Sequence, residues 1–262
     1  MRNNPLDYIT ASMIQSYTCP RKYYYQYIEG WSLVVPKASL VFGSIIHESI
    51  AAEFLDSTTA KEYFLEKWDA IGVLSYSRYD SKESLRDIGL ALIDKLETTE
   101  ILQRVVAVEK PYQTVLPDST IFKGKIDLIY YDGKNEIILD WKTSNSSFID
   151  SRPDLDDQLT AYSMLSGIKD VCYGVLLKKK NPDVQFHHSA RNEKDWQEYQ
   201  AKVMKIVMDI EDGFFYKNPS IYCGFCDFEP LCRNQKNRID IELKQVPIID
   251  RYKNLECEMA DF

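Results

Sequence analysis

Two apolar segments in the middle of the chain contain aspartates at positions where a buried strand would otherwise be entirely apolar. The segments cover residues 121–131 and 136–142, and the sequence Asp-Gly-Lys lies between them. This pattern predicts a β-hairpin. Asp127 lies between isoleucine and leucine, and Asp140 follows Ile-Ile-Leu. Because an unpaired carboxylate inside such strands costs free energy, the two aspartates indicate a chemical site.

Alternation along the second segment defines the geometry of this site. Side chains of successive strand residues point to opposite faces, so we expect Asp140 and Lys142 on one face and Leu139 and Trp141 on the other. Asp127, on the neighbouring strand, supplies a second carboxylate for one divalent cation, and hard oxygen ligands suit Mg²⁺ or Mn²⁺. A lysine beside them can orient water or accept its proton, which is chemistry for phosphodiester hydrolysis. The alternative is a solvent-facing strand with one ion pair, because Asp-x-Lys alone is common.

Three further residues fit this chemistry. His47 lies on the apolar face of a predicted helix, and Gly43 one turn earlier leaves room beside it. A lone histidine there is more often a core residue than a ligand. Gln158 and Tyr162 are four residues apart on a predicted helix, so they share a face and can reach a phosphate or a water on the metal. Their alternative is the ordinary polar boundary of an amphipathic helix. Glu109, in the preceding strand, is a further acidic candidate that we leave out of the predicted set.

Three of the six cysteines form a compact cluster with the spacing C-x₂-C-x₅-C: Cys223, Cys226 and Cys232. A fourth ligand is expected from Cys19, which lies at a predicted helix break. Four cysteines can bind Zn²⁺ or an iron–sulfur cluster, and the residues alone do not separate the two. Free thiols in a reducing compartment are the alternative, which the tight spacing disfavours.

The remaining cysteines are not expected to be ligands. Cys172 lies in an apolar strand segment and is predicted to be a core thiol, whereas Cys257 lies in a polar tail. A metal held by Cys19 and the cysteine cluster would join the two ends of the domain, and closing so long a loop removes much entropy from the unfolded chain. We therefore predict a structural rather than a redox role.

Composition limits the classes of function. The chain has 262 residues, 45% of them hydrophobic, which excludes general disorder. Its 32 Lys and Arg against 40 Asp and Glu give a net charge of −8, so a globally basic nucleic-acid coat is excluded but a local basic groove is not. No apolar run approaches the roughly 20 residues of a membrane span, and the first residues are polar. We expect no membrane span, no signal peptide and a reducing, cytoplasmic location.

The order of predicted elements indicates an α/β fold. Helical spacing covers a short stretch after Thr10 or Ser12 and then residues 21–29, 38–54, 59–71, 82–96, 155–165 and 192–214. Strand patterns cover residues 105–116, 121–131, 136–142, 171–177 and, as an edge strand, 184–188. We predict a single domain over residues 1–262, with a helical N-terminal part (10–100), a core (101–216), a cysteine segment (217–236) closing onto Cys19, and a tail (237–262).

Taken together, these motifs resemble the PD-(D/E)XK nuclease superfamily, and within it the RecB-like iron–sulfur exonucleases. That group includes the AddB nuclease domain, the CRISPR-associated RecB-like exonuclease and stand-alone phage or viral relatives. The motifs that carry the resemblance occur in the family order: Cys19-Pro20-Arg21-Lys22-Tyr23-Tyr24-Tyr25, Gly43-x₃-His47-Glu48, Gly124-Lys125-Ile126-Asp127, Asp140-Trp141-Lys142-Thr143, Gln158-x₃-Tyr162 and the terminal C-x₂-C-x₅-C. Each motif is weak alone, whereas the ordered set is specific. Asp140 replaces the glutamate that is frequent in that motif.

The resemblance implies a fold, a site and two cofactors. The fold would be a restriction-endonuclease-like core, a mixed central sheet flanked by helices, with a Cys-rich C-terminal cap. Mg²⁺ or Mn²⁺ would be bound by His47, Asp127, Asp140 and the carbonyl of Trp141, and Lys142 would activate water. Gln158 and Tyr162 would support the substrate. A [4Fe–4S] cluster, with structural Zn²⁺ as the alternative, would be bound by the four cysteines Cys19, Cys223, Cys226 and Cys232.

We therefore predict a metal-dependent DNA exonuclease that prefers single-stranded ends, in DNA repair, recombination or viral DNA processing. One alternative is a nuclease that trims DNA for CRISPR spacer acquisition in a larger complex, so a helicase or an integrase is a possible partner. Another is a non-catalytic DNA-binding module, which the intact site disfavours. The candidate DNA contacts are local basic patches and an aromatic run, although charge runs are usually solvated and aromatic runs usually belong to the core: Arg21 and Lys22, Lys178–Lys180, Arg233, Lys236 and Arg238, and Tyr23–Tyr25.

Overall fold

The computed structural model of the protein describes residues 7–56 and 58–247. The α-helices in this part of the chain are α1 (Ala11–Ser16), α2 (Pro20–Tyr23), α3 (Ala38–Leu55), α4 (Ala60–Asp69), α5 (Lys82–Glu97), α6 (Asp157–Ser166), α7 (Glu193–Glu211), α8 (Glu229–Cys232) and α9 (Lys236–Glu242). The strands are β1 (Tyr8–Thr10), β2 (Trp31–Leu33), β3 (Val105–Val115), β4 (Ile121–Tyr131), β5 (Glu136–Ser144), β6 (Asp170–Leu177), β7 (Asp183–Ala190) and β8 (Leu243–Gln245). A π-helical turn covers Tyr24–Ile28, and short 3₁₀ segments cover Glu100–Arg104, Pro153–Leu155 and Ile221–Phe225.

The chain forms two compact units. Among the described residues, unit 1 comprises 7–34, 113–124 and 197–247, and unit 2 comprises 35–56, 58–112 and 125–196. Strands β3 and β4 and helix α7 each run from one unit into the other. The single domain expected over residues 1–262 stays a prediction.

A mixed sheet forms the centre of unit 2. Strand β5 pairs antiparallel with β4, from Leu128 opposite Leu139 to Tyr131 opposite Glu136. It pairs parallel with β6 from Ile137 to Ser144. Strand β6 pairs antiparallel with β7, and β3 pairs with the other side of β4. The mixed sheet predicted from the resemblance is confirmed, and β7 is its edge strand as expected.

Helices cover both faces of this sheet. On one face, Leu139 and Trp141 of β5 contact a cluster with Phe42, Phe64 and Trp68 from the N-terminal helices of the unit. The opposite face carries Ile138, Val171 and Tyr173, which pack with Leu159 and Tyr162 of α6. Since side chains alternate along β5, its polar residues at 140 and 142 lie on the α6 face. The predicted α/β arrangement and alternation are confirmed.

Close packing between α4 and α5 depends on a residue without a side chain. Phe64 and Trp68 of α4 stack with ring centroids 5.9 Å apart. A Cβ atom on Gly89 of α5 would lie 2.2 Å from the Phe64 ring, so only glycine allows this approach. Ser81 starts α5 by accepting a hydrogen bond from the Ser84 backbone N–H, as N-cap residues do.

Helix α3 is long and apolar enough to cross a membrane by length and composition alone, the one such helix in the described part of the chain. In the fold it is a core helix, because Phe42, Ile46 and Ile50 are buried against the sheet and neighbouring helices. A buried core helix passes the same test of length and composition, so this is weak evidence for a membrane span.

Unit 1 joins the two ends of the described chain. Tyr23 is fully buried and packs against Tyr17, Tyr27 and Phe215. The Tyr17 hydroxyl donates to the carbonyl of Phe214 at 2.5 Å. These contacts give the aromatic residue at the start of the Tyr23–Tyr25 run a core role, which was the alternative to base stacking.

Short elements of unit 1 differ from the sequence expectation. Strand β2 pairs antiparallel with β8, and neither was predicted. Residues 237–245, expected to belong to a polar tail, contribute to α9 and β8. The stretch expected as one helix over residues 21–29 is α2 followed by a π-helical turn. Cys257 lies outside the described residues.

Candidate active site

The site begins where the ladder between β4 and β5 ends. The paired register stops at Leu128–Leu139. Beyond it the backbone N–H of Trp141 donates to Oδ2 of Asp127 at 2.9 Å. The same oxygen lies 3.2 Å from Nδ1 of His47. The Asp127 carboxylate therefore joins β4, β5 and α3 at one point.

Helix α3 reaches this point because residue 43 has no side chain. A Cβ atom on Gly43 would lie 3.0 Å from Oγ1 of Thr143 on β5, tighter than an ordinary contact. Gly43 and His47 are one helical turn apart, so a close approach at one places the other beside the strand ends. The His47 side chain is 26% exposed and contacts the Asp127 carboxylate, unlike a fully enclosed core histidine.

A second chain of polar contacts runs from β5 to α6. The Nζ atom of Lys142 pairs with Oδ2 of Asp140 and donates to Oε1 of Gln158 at 2.9 Å. Nε2 of Gln158 donates to the Tyr162 hydroxyl at 2.7 Å. The structure thus brings together the predicted residues of the strands and of the helix. The polar-boundary alternative for Gln158 does not describe this linked arrangement.

Burial sets the electrostatics of the two aspartates. Asp140 is 1% exposed, and burial raises its pKa to about 6 although Lys142 opposes the shift. Burial also acts against ionisation of Asp127, but the adjoining His47 holds the pKa of that carboxyl below its ordinary value. A solvent-facing strand with one ion pair, the alternative for Asp-x-Lys, does not fit these burials.

Burial also opposes the charged forms of the two bases, His47 and Lys142. It lowers the pKa of His47, but Asp127 more than offsets it, so the net shift is upward. Lys142 behaves alike, since burial lowers its pKa and Asp140 raises it above the ordinary value. Both cationic forms are therefore favoured by the neighbouring carboxylates.

Glu109 joins the same neighbourhood, although it was left out of the predicted set. Its Oε2 lies 2.5 Å from Nζ of Lys125, and it is close enough to Asp127 and His47 for their charges to affect its pKa, which burial raises. Its backbone has a φ of 48°, a left-handed conformation that non-glycine residues rarely adopt and that clusters at functional sites. A glutamate after the apolar run Val-Val-Ala-Val was the available sequence signal.

The donor atoms fit a hard divalent cation. The two carboxylates are the oxygen ligands that Mg²⁺ or Mn²⁺ prefers, with the imidazole of His47 as a nitrogen donor beside them. Oδ2 of Asp140 is buried and, apart from its ion pair with Lys142, has no hydrogen-bond partner among the described residues. In the described structure the donors contact protein groups instead: His47 contacts Asp127, and Lys142 contacts Asp140. Accordingly, among residues 7–56 and 58–247 no three His, Cys, Asp or Glu side chains are grouped as a metal site.

The four candidate cluster cysteines all belong to unit 1. Cys232 is near enough to Cys19 and Cys223 for their charges to raise its pKa, although burial is the larger cause. The Ser220 backbone N–H donates to Sγ of Cys223 at 3.3 Å. Cys172, in contrast, is fully buried in β6, so its core role is confirmed. In the part of the chain that the structure describes, these thiols are not grouped as a metal site; cysteine thiolates are in general ligands of zinc and of iron–sulfur clusters.

The candidate DNA contacts differ in their exposure and in the ion pairs that they make. Arg233 and Arg238 both pair with Glu229, at 2.7 and 2.6 Å, and Arg238 also pairs with Glu242 at 2.7 Å. Two carboxylates therefore offset the two arginine charges. Lys178 packs over the Phe42 ring at 5.5 Å, whereas Lys179 and Lys180 are exposed. The exposed pair is the part of that run able to contact a phosphate.

The guanidinium of Arg21 lies over two aromatic rings of its own segment. The distances to the ring centroids are 5.4 Å for Tyr24 and 5.9 Å for Tyr25. The Tyr25 ring also packs against Phe228. Arg21 and the half-buried tyrosines therefore form a packed cation–aromatic group.

Comparison with known proteins identifies the family. The family model of the PD-(D/E)XK nuclease superfamily matches residues 9–233. No curated protein sequence matches the chain. Among solved structures, a protein from Eubacterium rectale described as a "Putative exonuclease" aligns with a TM-score of 0.57 at 15% identity, over 93% of this chain and 92% of that one. The structure of SSO0001 aligns with a TM-score of only 0.37 at 10% identity, over 72% of this chain and 95% of that one.

The structural likeness, at such low identity, concerns the fold, which agrees with the mixed sheet flanked by helices. The match to the family model covers most of the chain and includes every residue of the site described above. This protein belongs to the PD-(D/E)XK nuclease superfamily.

Proposed function

We propose that this nuclease is a metal-dependent DNA exonuclease that hydrolyses phosphodiester bonds and prefers single-stranded ends. The observation that carries the proposal is the meeting of His47, Asp127, Asp140 and Lys142 where the β4–β5 ladder ends. Nucleases of this superfamily generally use divalent metals such as Mg²⁺. A non-catalytic module would have no need to keep two buried carboxylates beside a lysine.

The metal site we propose consists of His47, Asp127, Asp140 and the carbonyl of Trp141. A bound Mg²⁺ or Mn²⁺ would offset phosphate charge and make water more acidic. Asp127 and Asp140 lie on the neighbouring strands β4 and β5, so both carboxylates come from rigid elements. The Trp141 N–H fixes one of them by its hydrogen bond.

Lys142 is the residue we assign to the attacking water. Asp140 and Gln158 hold its Nζ atom from two sides, so the ammonium has a fixed position. The ammonium orients the water, whereas only the neutral amine, which the neighbouring carboxylates disfavour, would accept the proton of that water. Gln158 and Tyr162 support the substrate phosphate through the face of α6 that they share.

We also propose that Cys19, Cys223, Cys226 and Cys232 bind a [4Fe–4S] cluster with a structural role, with Zn²⁺ as the alternative metal. Two hydrogen bonds support closure of this region: the Asn218 side chain donates to the Thr18 carbonyl at 2.9 Å, and the Arg21 N–H donates to the Tyr216 carbonyl at 3.0 Å. Both join the segment around Cys19 to the segment before the cysteine cluster without any metal. A metal would add to a connection that the chain already makes.

The proposed activity is tested with end-labelled linear single-stranded DNA, linear duplex DNA and circular single-stranded DNA, each with Mg²⁺, Mn²⁺ or EDTA. We expect degradation of the linear single strand with either metal, slower degradation of the duplex, and no reaction in EDTA. A circle has no end, so it should survive. Rapid cutting of the circle would replace the exonuclease by an endonuclease, and no cleavage of any DNA would contradict the proposed function.

The biological setting is part of the proposal. DNA repair, recombination or viral DNA processing, a helicase or CRISPR integrase as partner, and a cytoplasmic location stay predictions. They are tested by identifying proteins that copurify with the full chain.

A further inference from the structure

Arg191 is a buried charged residue for which the proposed chemistry has no direct use. It follows β7 and precedes α7, and only 4% of its surface is exposed. Arginine keeps its charge in proteins, so a buried guanidinium is retained only where its donors are satisfied. The position of those acceptors therefore indicates what the residue holds in place.

Most of the acceptors lie where α6 begins. Nη2 of Arg191 donates to the carbonyl of Pro153 and, at 3.4 Å, to the carbonyl of Asp156. Nε donates to Oγ1 of Thr160 at 2.7 Å. The guanidinium thus bridges the 3₁₀ segment before the helix and the first turn of the helix itself.

The remaining donor group of Arg191 holds the end of β7. Nη1 donates to Oγ of Ser189 at 2.9 Å and to the Ala190 carbonyl at 3.1 Å. Ser189 donates in turn to Oδ1 of Asp154 at 2.7 Å. One planar side chain therefore fixes the start of α6 against the sheet, a geometry that a lysine ammonium does not reproduce.

The start of α6 positions the residue that contacts the catalytic lysine. Asp156 caps the helix by accepting from the backbone N–H groups of Gln158 and Leu159, at 2.8 and 3.2 Å. The Gln158 side chain accepts from Nζ of Lys142 at 2.9 Å. A shift of the cap therefore moves the amide that holds the ammonium.

We propose that Arg191 is a positioning residue for DNA hydrolysis: it fixes the first turn of α6 so that Gln158 holds the Lys142 ammonium in place. This inference rests on the proposed function, because the role of Lys142 does. Arg191 makes no contact with the site residues of the strands among the bonds described, and it acts through α6. Misplacement of a reacting group by about 1 Å can cost about 100-fold in rate.

The kinetic test is a double-mutant cycle of Arg191→Lys and Gln158→Ala. We expect Arg191→Lys to lower kcat by about 10- to 100-fold with KM for DNA within about twofold. If Arg191 acts through Gln158, the double variant should be no slower than Gln158→Ala, since residues that act as a unit are not additive. Arg104→Lys, at an exposed arginine paired with Glu100, is the control and should match the parent. The proposal would be overturned if the losses in kcat of the two single variants multiplied in the double variant.

A second readout does not depend on cleavage. The ¹⁵N resonance of the Lys142 side chain reports the hydrogen bond to Gln158, and amide exchange at Gln158 and Leu159 reports the cap. Arg191→Lys should shift the resonance and speed this exchange, while amides of β6 exchange as in the parent. Should the parent fail to cleave DNA, the proposed function falls and this measurement still decides the positioning role. An unchanged Lys142 resonance with a lower melting temperature would make Arg191 merely structural.

Thr160→Val provides a variant for the case in which Arg191→Lys does not fold. It removes the acceptor of Nε and the hydrogen bond that the Thr160 hydroxyl donates to the Asp156 carbonyl, and it leaves Arg191 with its other hydrogen bonds. We expect the same change in the Lys142 resonance and a smaller loss in kcat. Normal kcat together with a parent-like resonance in a folded Thr160→Val protein would contradict the inference.

Discussion

Nδ1 of His47 lies 3.2 Å from Oδ2 of Asp127, so a residue of the core helix α3 and a residue of the central strand β4 share one contact. Gly43, one turn before His47, lets α3 lie close to Thr143 of β5. A helix buried in the core thus carries a polar residue to the edge of the strand ladder. This relationship has a direct consequence for metal affinity.

His47→Ala should raise the Mn²⁺ concentration needed for half-maximal cleavage by about 10-fold or more, by analogy with the loss of groups that orient metal ligands. The melting temperature should stay within about 4 °C of the parent, since about 1 kcal/mol shifts it by that amount at most in a chain of this size. Metal titrations of the cleavage rate and thermal denaturation measure the two effects. His188→Ala, at an exposed histidine of β7, is the control. A large loss of melting temperature with normal activity of the folded protein would support a purely structural histidine.

Lys142→Met should abolish cleavage and also lower stability, because Asp140 would lose its cation while 1% exposed. Breaking a buried ion pair costs about 3 kcal/mol. Adding Asp140→Asn removes the unpaired charge, so the double variant should regain stability and remain inactive. Urea denaturation and single-turnover cleavage separate the two effects, with Lys134→Met, at an exposed position in the turn between β4 and β5, as control. Cleavage by Lys142→Met at the parent rate would exclude a role for this lysine.

Cys19→Ser and Cys226→Ser should behave alike. Both should lose the brown colour and visible absorbance of an iron–sulfur cluster and become less stable, because metal binding contributes to folding. Cys172→Ser and Cys257→Ser should keep the colour, since the first is a core thiol and the second is not an expected ligand. Iron and sulfide analysis of anaerobically purified protein shows whether an iron–sulfur cluster is bound. Stoichiometric zinc without iron would establish the alternative metal, and no bound metal would exclude the site.

Gly174→Ala should destabilise the sheet by about 1–3 kcal/mol, the usual cost of overpacking. A Cβ atom at Gly174 would lie 2.3 Å from the ring of Trp141 on the neighbouring strand. Gly72→Ala is the matched control, because nothing lies within 4 Å of its added atom. The free energy of unfolding in urea measures both. Equal stability of the two variants would contradict the packing described for β5 and β6.

Sequence patterns predicted the elements whose own residues show a periodic or apolar pattern that ends at a turn. Strand β4 begins and ends at the predicted residues 121 and 131, because alternating and apolar residues continue to a Gly-containing turn. Strands β2 and β8 are three residues long and exist through their pairing with each other. Pairing between segments about two hundred residues apart leaves no local pattern.

The candidate site likewise contains residues that the sequence predicts and residues that only the tertiary structure reveals. Asp127, Asp140 and Lys142 were predictable because charges in apolar strands are costly. The left-handed backbone of Glu109 and the buried position of Arg191 depend on tertiary contacts. An arginine at the end of an edge strand is indistinguishable in sequence from a solvated one. Its role follows only from the acceptors around it.

Asp127 and Asp140 are the carboxylates on which the proposed hydrolysis depends most. The direct measurement is the initial rate of label release from linear single-stranded DNA by the parent, Asp127→Asn and Asp140→Asn, in Mg²⁺ and in EDTA. Asp87→Asn, at an exposed position of α5, is the control. We predict metal-dependent cleavage by the parent and the control, and a loss of at least about 100-fold, or about 2.7 kcal/mol of activation free energy, in both site variants. Parent-like rates in the two site variants, or cleavage that persists in EDTA, would contradict the account.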